Sequence, residues 1–296
     1  MSTDSLLLEI GVEELPSSFV DGALAALPAL LETRLAAARL EAKGVHALGT
    51  PRRLSVFIES VASHQPDVDE EVTGPPETAG YKDGQPTKAA SAFADKLGVS
   101  LDQLRVVDKP AEGKQKAGRY LVGRKREAGR PARELLGSIL RDVCGNIPFR
   151  KSMRWSTLDV TFGRPVQWLV ALFGGDVVDF EFGGQRAGRV TRGHRFLAPG
   201  TFDIAHPKDY VETLRGKHVL VNRDERANTM MTRVADAAKE LGGAFDPDPM
   251  LVSENASLVE EPFVVVRVRR PISLVAGVGH SLGGAWPSAL LLRAEE

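Results

Sequence analysis

The sequence predicts an α+β protein whose sheets run in mixed directions with helices on their flanks. Three observations predict it. Short apolar or alternating runs of strand period interleave with segments of helical period. No unit repeats at a fixed spacing, which excludes a solenoid or propeller. The 296 residues are 43% hydrophobic and 26% charged, enough to bury two separate cores in layered elements.

The elements follow in order. Ser5 to Ile10 is an apolar run closed by Gly11, the pattern of a buried strand, and Glu13-Glu14-Leu15-Pro16 makes the turn after it. Adjacent Glu13 and Glu14 point apart, so they read as a cap or a solvated turn and not as paired acids. Phe19, Ala23, Leu27, Leu30, Leu31 and Leu35 then recur at helical spacing, which predicts a helix over 17–43 with Gly44 as its cap and a kink or break at Pro28. After Gly49-Thr50-Pro51-Arg52-Arg53, residues Leu54, Val56 and Ile58 alternate as a strand to Ala62. Residues 64–87 hold four prolines with glycines and acids and read as a loop. Thr87 caps a short helix over 89–97 that Gly98 ends. Residues 112–133 carry eight Lys or Arg against two Glu around a strand at 120–123, and 131–143 is an amphipathic helix. Strands are predicted at 166–173 and 177–182, separated by Gly174-Gly175. Helix at 209–215, strand at 218–221 and helices at 225–241 and 250–259 follow. The chain therefore divides into a strand-helix-strand opening (1–63), a basic middle segment with short helices (64–150), a second α/β portion (151–262) and a tail (263–296).

Composition narrows the function. Cationic residues number 38 and acidic ones 39, so any attraction for nucleic acid must be local. A single cysteine, Cys144, excludes a disulfide framework and lies in a helical apolar pattern, as a buried structural thiol does. No secretory signal and no membrane-spanning run is visible, which predicts a cytosolic protein.

Gly279-His280-Ser281-Leu282-Gly283 matches a hydrolase nucleophile elbow, but no histidine follows Ser281 to take its proton, so esterase chemistry is disfavoured. There is no phosphate loop, no dinucleotide fingerprint, and no pair of histidines at metal-binding spacing among the six. Between Arg150 and Arg195 there are eight basic residues to four acidic ones. Lys151-Ser152-Met153-Arg154-Trp155 and Thr191-Arg192-Gly193-His194-Arg195-Phe196 each set cations beside an aromatic, the ingredients for phosphate contact and base stacking. The competing reading makes Trp155 core and pairs the arginines with Asp159, Asp176 or Asp179.

Taken in order, Leu8-Glu9-Ile10-Gly11-Val12-Glu13-Glu14-Leu15-Pro16, Thr50-Pro51-Arg52-Arg53-Leu54, Lys151 to Trp155, Arg164-Pro165-Val166-Gln167-Trp168-Leu169 and Arg192 to Phe196 resemble the β subunit of bacterial tetrameric glycyl-tRNA synthetase. Asp209-Tyr210-Val211 and Leu258-Val259-Glu260-Glu261-Pro262 extend the resemblance over residues 4–263. It implies ATP-dependent attachment of glycine to its transfer RNA by an α2β2 enzyme. The partners implied are an α subunit, a second β subunit and tRNA(Gly). ATP and Mg2+ are expected at the α subunit, no cofactor or metal on this chain, and no catalytic residue carries over. The resemblance also implies a B3/B4-like α+β region, and the local basic excess beside Trp155 and Phe196 makes Arg52, Arg53, Lys151, Arg154, Trp155, Arg192, His194 and Arg195 the RNA-contact candidates. A scaffold for the α subunit without RNA affinity, or a hydrolase using Ser281, are the alternatives. After Phe263 the sequence departs from the family pattern, which predicts a divergent, loosely packed tail from a shifted reading frame or a truncated gene.

Overall fold

A computed structural model describes residues 2–82, 84–111, 116–269, 273–278 and 289–292. It divides into two compact units, 1–63 with 132–296 and 64–131. The middle segment expected over 64–150 thus ends at Pro131. The helix after it, Ala132–Asn146, sinks Leu136, Leu140, Val143 and Cys144 into the core of the first unit.

That unit is built on a sheet of seven strands. Its centre is β1 (Thr3–Val12), antiparallel on one side to Val166–Phe173 and on the other to β3 (Arg53–Ala62), with β2 (Ala42–Thr50) at the edge beyond β3. Gln185–Gly188 is the one strand of this sheet laid parallel to its neighbour, Val166–Phe173. The period of two sends Leu6, Leu8, Ile10, Leu54, Val56 and Ile58 to one face, where α1 (Ser17–Ala37) and the helix at 132–146 cover them. Leu7, Val170 and Leu172 go to the other face, under Ile204, Tyr210, Leu214 and Val221. Beyond this layer Met230, Val234 and Ala238 of helix Arg223–Glu240 pack on Ala256 and Val259, past helix Pro249–Ala256.

Several expectations change. Helix α1 runs unbroken through Pro28 and stops at Ala37, not at 43. Arg39, at φ 54°, takes the left-handed position expected for Gly44. Its amide bonds Ala36 and that of Leu40 bonds Leu35, the two capping bonds of a Schellman turn. The residues given to the helix end instead form β2. The stretch 218–221 is not a strand; its backbone makes single bonds, Gly49 N to Val221 O and Leu220 N to Glu260 O.

The second unit is a three-stranded antiparallel sheet with Gly118–Glu127 between Val68–Pro76 and Arg105–Lys109. Helix Lys88–Leu97 covers it with Phe93 and Leu97; as expected, Thr87 accepts from Ala89 N and Gly98 sits at φ 68°. Val68–Pro76 was expected as loop. It is a strand because its acids face the basic strand Gly118–Glu127: Asp69 pairs with Arg124 at 2.5 Å and with Arg126 at 3.7 Å. In the tail, Val264–Arg269, Ser273–Val278 and Ala289–Leu292 pair as antiparallel strands. Lys114, His280 and the Gly279–Gly283 phrase with Ser281 lie outside the described residues.

Candidate nucleic-acid interface

Strand register assembles the site. On the second face of the sheet, Trp168 and Arg53 both stand opposite Gly11, and Thr50 stands opposite Arg53. Because Gly11 has no side chain, the indole lies across it; a Cβ there would come within 1.9 Å of Trp168 Cδ2. One row further along, Glu9 stands opposite Val170 and Ser55.

Glu9 is fully buried, and burying a carboxylate is costly unless it is paired and hydrogen-bonded. Its partners are complete. Trp168 Nε1 donates to Oε1 at 2.7 Å, Thr191 Oγ1 bonds both carboxylate oxygens at 2.8 and 2.9 Å, and Arg53 Nη1 donates to Oε1 at 3.4 Å. The buried Arg53 guanidinium turns its other edge to Glu260, with Nε and Nη2 at 3.2 and 3.1 Å from Oε1, where Thr50 Oγ1 also donates at 2.8 Å. Burial pulls the Arg53 pKa down, but Glu260 and Glu9 outweigh it and leave the group more basic than usual. Burial likewise pushes Glu260 up, and Arg53 and Arg52 overcome it, so this carboxyl titrates below its ordinary range. Tyr210 closes the floor of the site with its hydroxyl 2.5 Å from Ser55 Oγ.

Around this knot runs a cationic rim. Arg52 is 12% exposed and reaches Glu260 Oε2 at 3.5 Å; burial lowers its pKa, and the Arg53 and Arg195 cations push the same way against Glu260. Arg192 lies over the Trp168 ring at 4.7 Å and donates to Gln167 O at 3.4 Å. Arg195 is exposed, with Glu14 at 3.6 Å. His194 accepts at Nδ1 from the amides of Phe196 and Leu197, both at 3.2 Å, which puts the neutral ring's proton on Nε2. Burial lowers the His194 pKa.

The candidates therefore separate. Arg52, Arg192, His194 and Arg195 come together on the rim. Arg53 does not fit an RNA contact: no part of its side chain reaches solvent, and Glu9 and Glu260 consume its donors. Trp155 is half-buried against the first-face core, so its ring is packing. Lys151 and Arg154 are exposed, on a segment that a Met153–Phe162 bridge returns to the core, away from this knot. The pairing expected of the arginines in the two phrases goes to others: Arg186 grips Asp179 at 2.8 Å through two nitrogens, and Arg133 pairs with Asp176. The sequence reading missed Glu9, Thr50, Trp168, Thr191 and Glu260 as a set. The available signal was a lone acid inside the apolar run Leu6 to Val12.

Every phrase that carried the family resemblance, except Lys151 to Trp155, meets here. Val12 N bonds Arg52 O, Leu15 N bonds Pro51 O, and Glu13 N bonds Pro165 O, tying three phrases by backbone alone. The glycyl-tRNA synthetase beta subunit family model matches residues 6–268. This chain belongs to that family. Among its relatives, the glycine–tRNA ligase beta subunit of Trichlorobacter lovleyi is 41% identical over 262 residues, covering 88% of this chain and 37% of the relative. That of Myxococcus xanthus is 42% identical over 262 residues, with 88% and 36% covered. That of Anaeromyxobacter dehalogenans is 43% identical over 263 residues, with 88% and 37% covered. The chain thus spans under two fifths of the length of these relatives. The family match ends five residues beyond Phe263, where the sequence reading placed its divergence. Among the described residues, no helix is long and apolar enough to cross a membrane, and no group of His, Cys, Asp or Glu could hold a metal ion.

Proposed function

We propose that this chain serves a cytoplasmic glycine–tRNA ligase, the enzyme that attaches glycine to tRNA(Gly) at the expense of ATP. Its task there is transfer-RNA recognition or subunit assembly. The observation that carries this reading is the family membership over 6–268 together with the cationic rim at Arg52, Arg192, His194 and Arg195. Adenylate formation, with ATP and Mg2+, belongs to an α subunit in an α2β2 assembly. Cations on the rim and at Lys151 and Arg154 neutralise RNA phosphates and fix its position. Mobility-shift titration of tRNA(Gly) at two salt concentrations tests this, with and without the Arg154→Ala, Arg192→Ala double substitution. Binding that weakens with salt and with the substitutions supports RNA recognition. Absence of binding by the folded chain, with no loss in the assembled enzyme carrying both changes, sinks it. Co-purification with the α subunit reports the assembly role separately.

A further inference from the structure

The loop between Thr191 and Thr201 holds two large apolar side chains out in solvent: Phe196 is 57% exposed and Leu197 42%. An exposed phenylalanine on a slack loop would mean little. This loop is fastened. Gly193 N bonds Gly200 O, His194 N bonds Lys217 O, Ala198 N bonds His194 O, and His194 Nδ1 takes the two amides at the tip. Gly193 has no room for a side chain, since a Cβ would lie 2.5 Å from Ala198 O and 2.8 Å from the Phe202 ring. The backbone that carries the aromatic is therefore set before any partner arrives, which spares the loop-ordering cost of binding.

The charge beside it selects the partner. Arg195 adjoins Phe196 in the chain, is 48% exposed on its side chain, and has Glu14 only at 3.6 Å. Arg192 stacks on Trp168, and Arg52 stands over the same ring at 6.0 Å. Both buried acids are committed to Arg53, Glu260 also meets Arg52 at 3.5 Å, and among the described contacts Arg192 has no carboxylate partner. The spare positive charge lies on the rim. An aromatic face next to spare guanidiniums suits a group that is flat on one side and anionic on the other. Duplex RNA hides its base faces, whereas an unpaired nucleotide exposes one.

We propose that this loop is a binding site for a single unpaired nucleotide of RNA. The base stacks on Phe196, and Arg195, with Arg192 and Arg52 behind it, takes the adjoining phosphate. The proposal deepens the reading of the chain as an RNA-contacting subunit and rests on it.

The test is fluorescence anisotropy on the full 296-residue chain with a labelled single-stranded adenosine octamer, a labelled G·C-rich RNA duplex of eight pairs, and tRNA(Gly). Phe196 is exposed, so its replacement leaves the fold intact, which near-ultraviolet circular dichroism verifies. The octamer is expected to bind more tightly than the duplex. Phe196→Ala and Phe196→Leu are both expected to weaken it by about 5- to 100-fold, and Phe196→Trp to retain it, because stacking needs a π face and not merely apolar area. Arg195→Gln is expected to lower the salt slope by about 0.7, one phosphate's worth on a single strand. Equal affinity for duplex and octamer, octamer binding indifferent to Phe196, or no octamer binding overturns the proposal. If tRNA(Gly) still binds in any of these cases, only this site falls. If Phe196→Leu binds like the parent while Phe196→Ala does not, the loop is an apolar protein contact and the proposal also fails.

Discussion

Gly11 shows how much can turn on one missing side chain. Trp168 occupies the volume a methyl group would need, and from there its Nε1 reaches Glu9. Gly11→Ala is expected to cost at least about 1–3 kcal/mol, the usual penalty for overpacking, and to show as a lowered urea midpoint. The Arg53 cluster adds a pH dependence with a definite sign. Because the folded-state pKa of Glu260 is lowered, its contribution to stability is present above the ordinary carboxyl value of 4.5 and is lost as pH falls through the folded value. Urea titrations across pH 6 to 3 are expected to show that loss, and Glu260→Gln to remove this part of it while costing about 3–5 kcal/mol at neutral pH by leaving Arg53 under-compensated. Arg53 was legible as a cation beside a turn but not as a buried one. A residue's own sequence neighbourhood does not disclose a partner 207 positions away.

At the scale of elements, agreement follows local determination. Strand Val166–Phe173 was read to the residue because it is a continuous apolar run, and helix Lys88–Leu97 to within one residue because Thr87 and Gly98 announce both ends. Edge strand β2 escaped because Lys43, Gly44 and His46 break any apolar pattern; its backbone is ordered by pairing with β3. Val68–Pro76 escaped because acids and prolines describe a loop, while charge complementarity with Gly118–Glu127 makes it a strand. Pro28 was expected to distort α1, yet the helix continues on the strength of Val20, Ala23, Leu27, Leu31 and Leu35 against the sheet. The proline still removes a backbone donor. Pro28→Ala is therefore expected to raise stability by about 1–3 kcal/mol, read as a higher thermal midpoint. Failure to gain would mean that the ring's packing matters more than the restored hydrogen bond.

For the whole molecule, the two-unit division makes 64–131 an insertion in chain order. Ala132 N bonds Ser63 O at 2.8 Å, so the first unit closes its own backbone where the chain leaves and returns. Replacing residues 64–131 by a short Gly-Ser link is expected to leave one cooperative melting transition for the remainder, with stability changed by no more than about 1–2 kcal/mol. A non-cooperative melt would show that the first unit depends on the second. The sequence reading set its first boundary at residue 63. It missed the return because a basic stretch and an amphipathic helix looked like one segment, although Leu136 and Leu140 serve a different core from Phe93 and Leu97. The link from Arg53 to Glu260 also sets an order of events during synthesis. A ribosome delivers the first face of the sheet once Gly188 has emerged, but the guanidinium on the second face must stay hydrated until Glu260 follows it out. The nascent chain therefore waits, half closed, through the translation of about seventy more codons, and those are the residues over which a chaperone has something to hold.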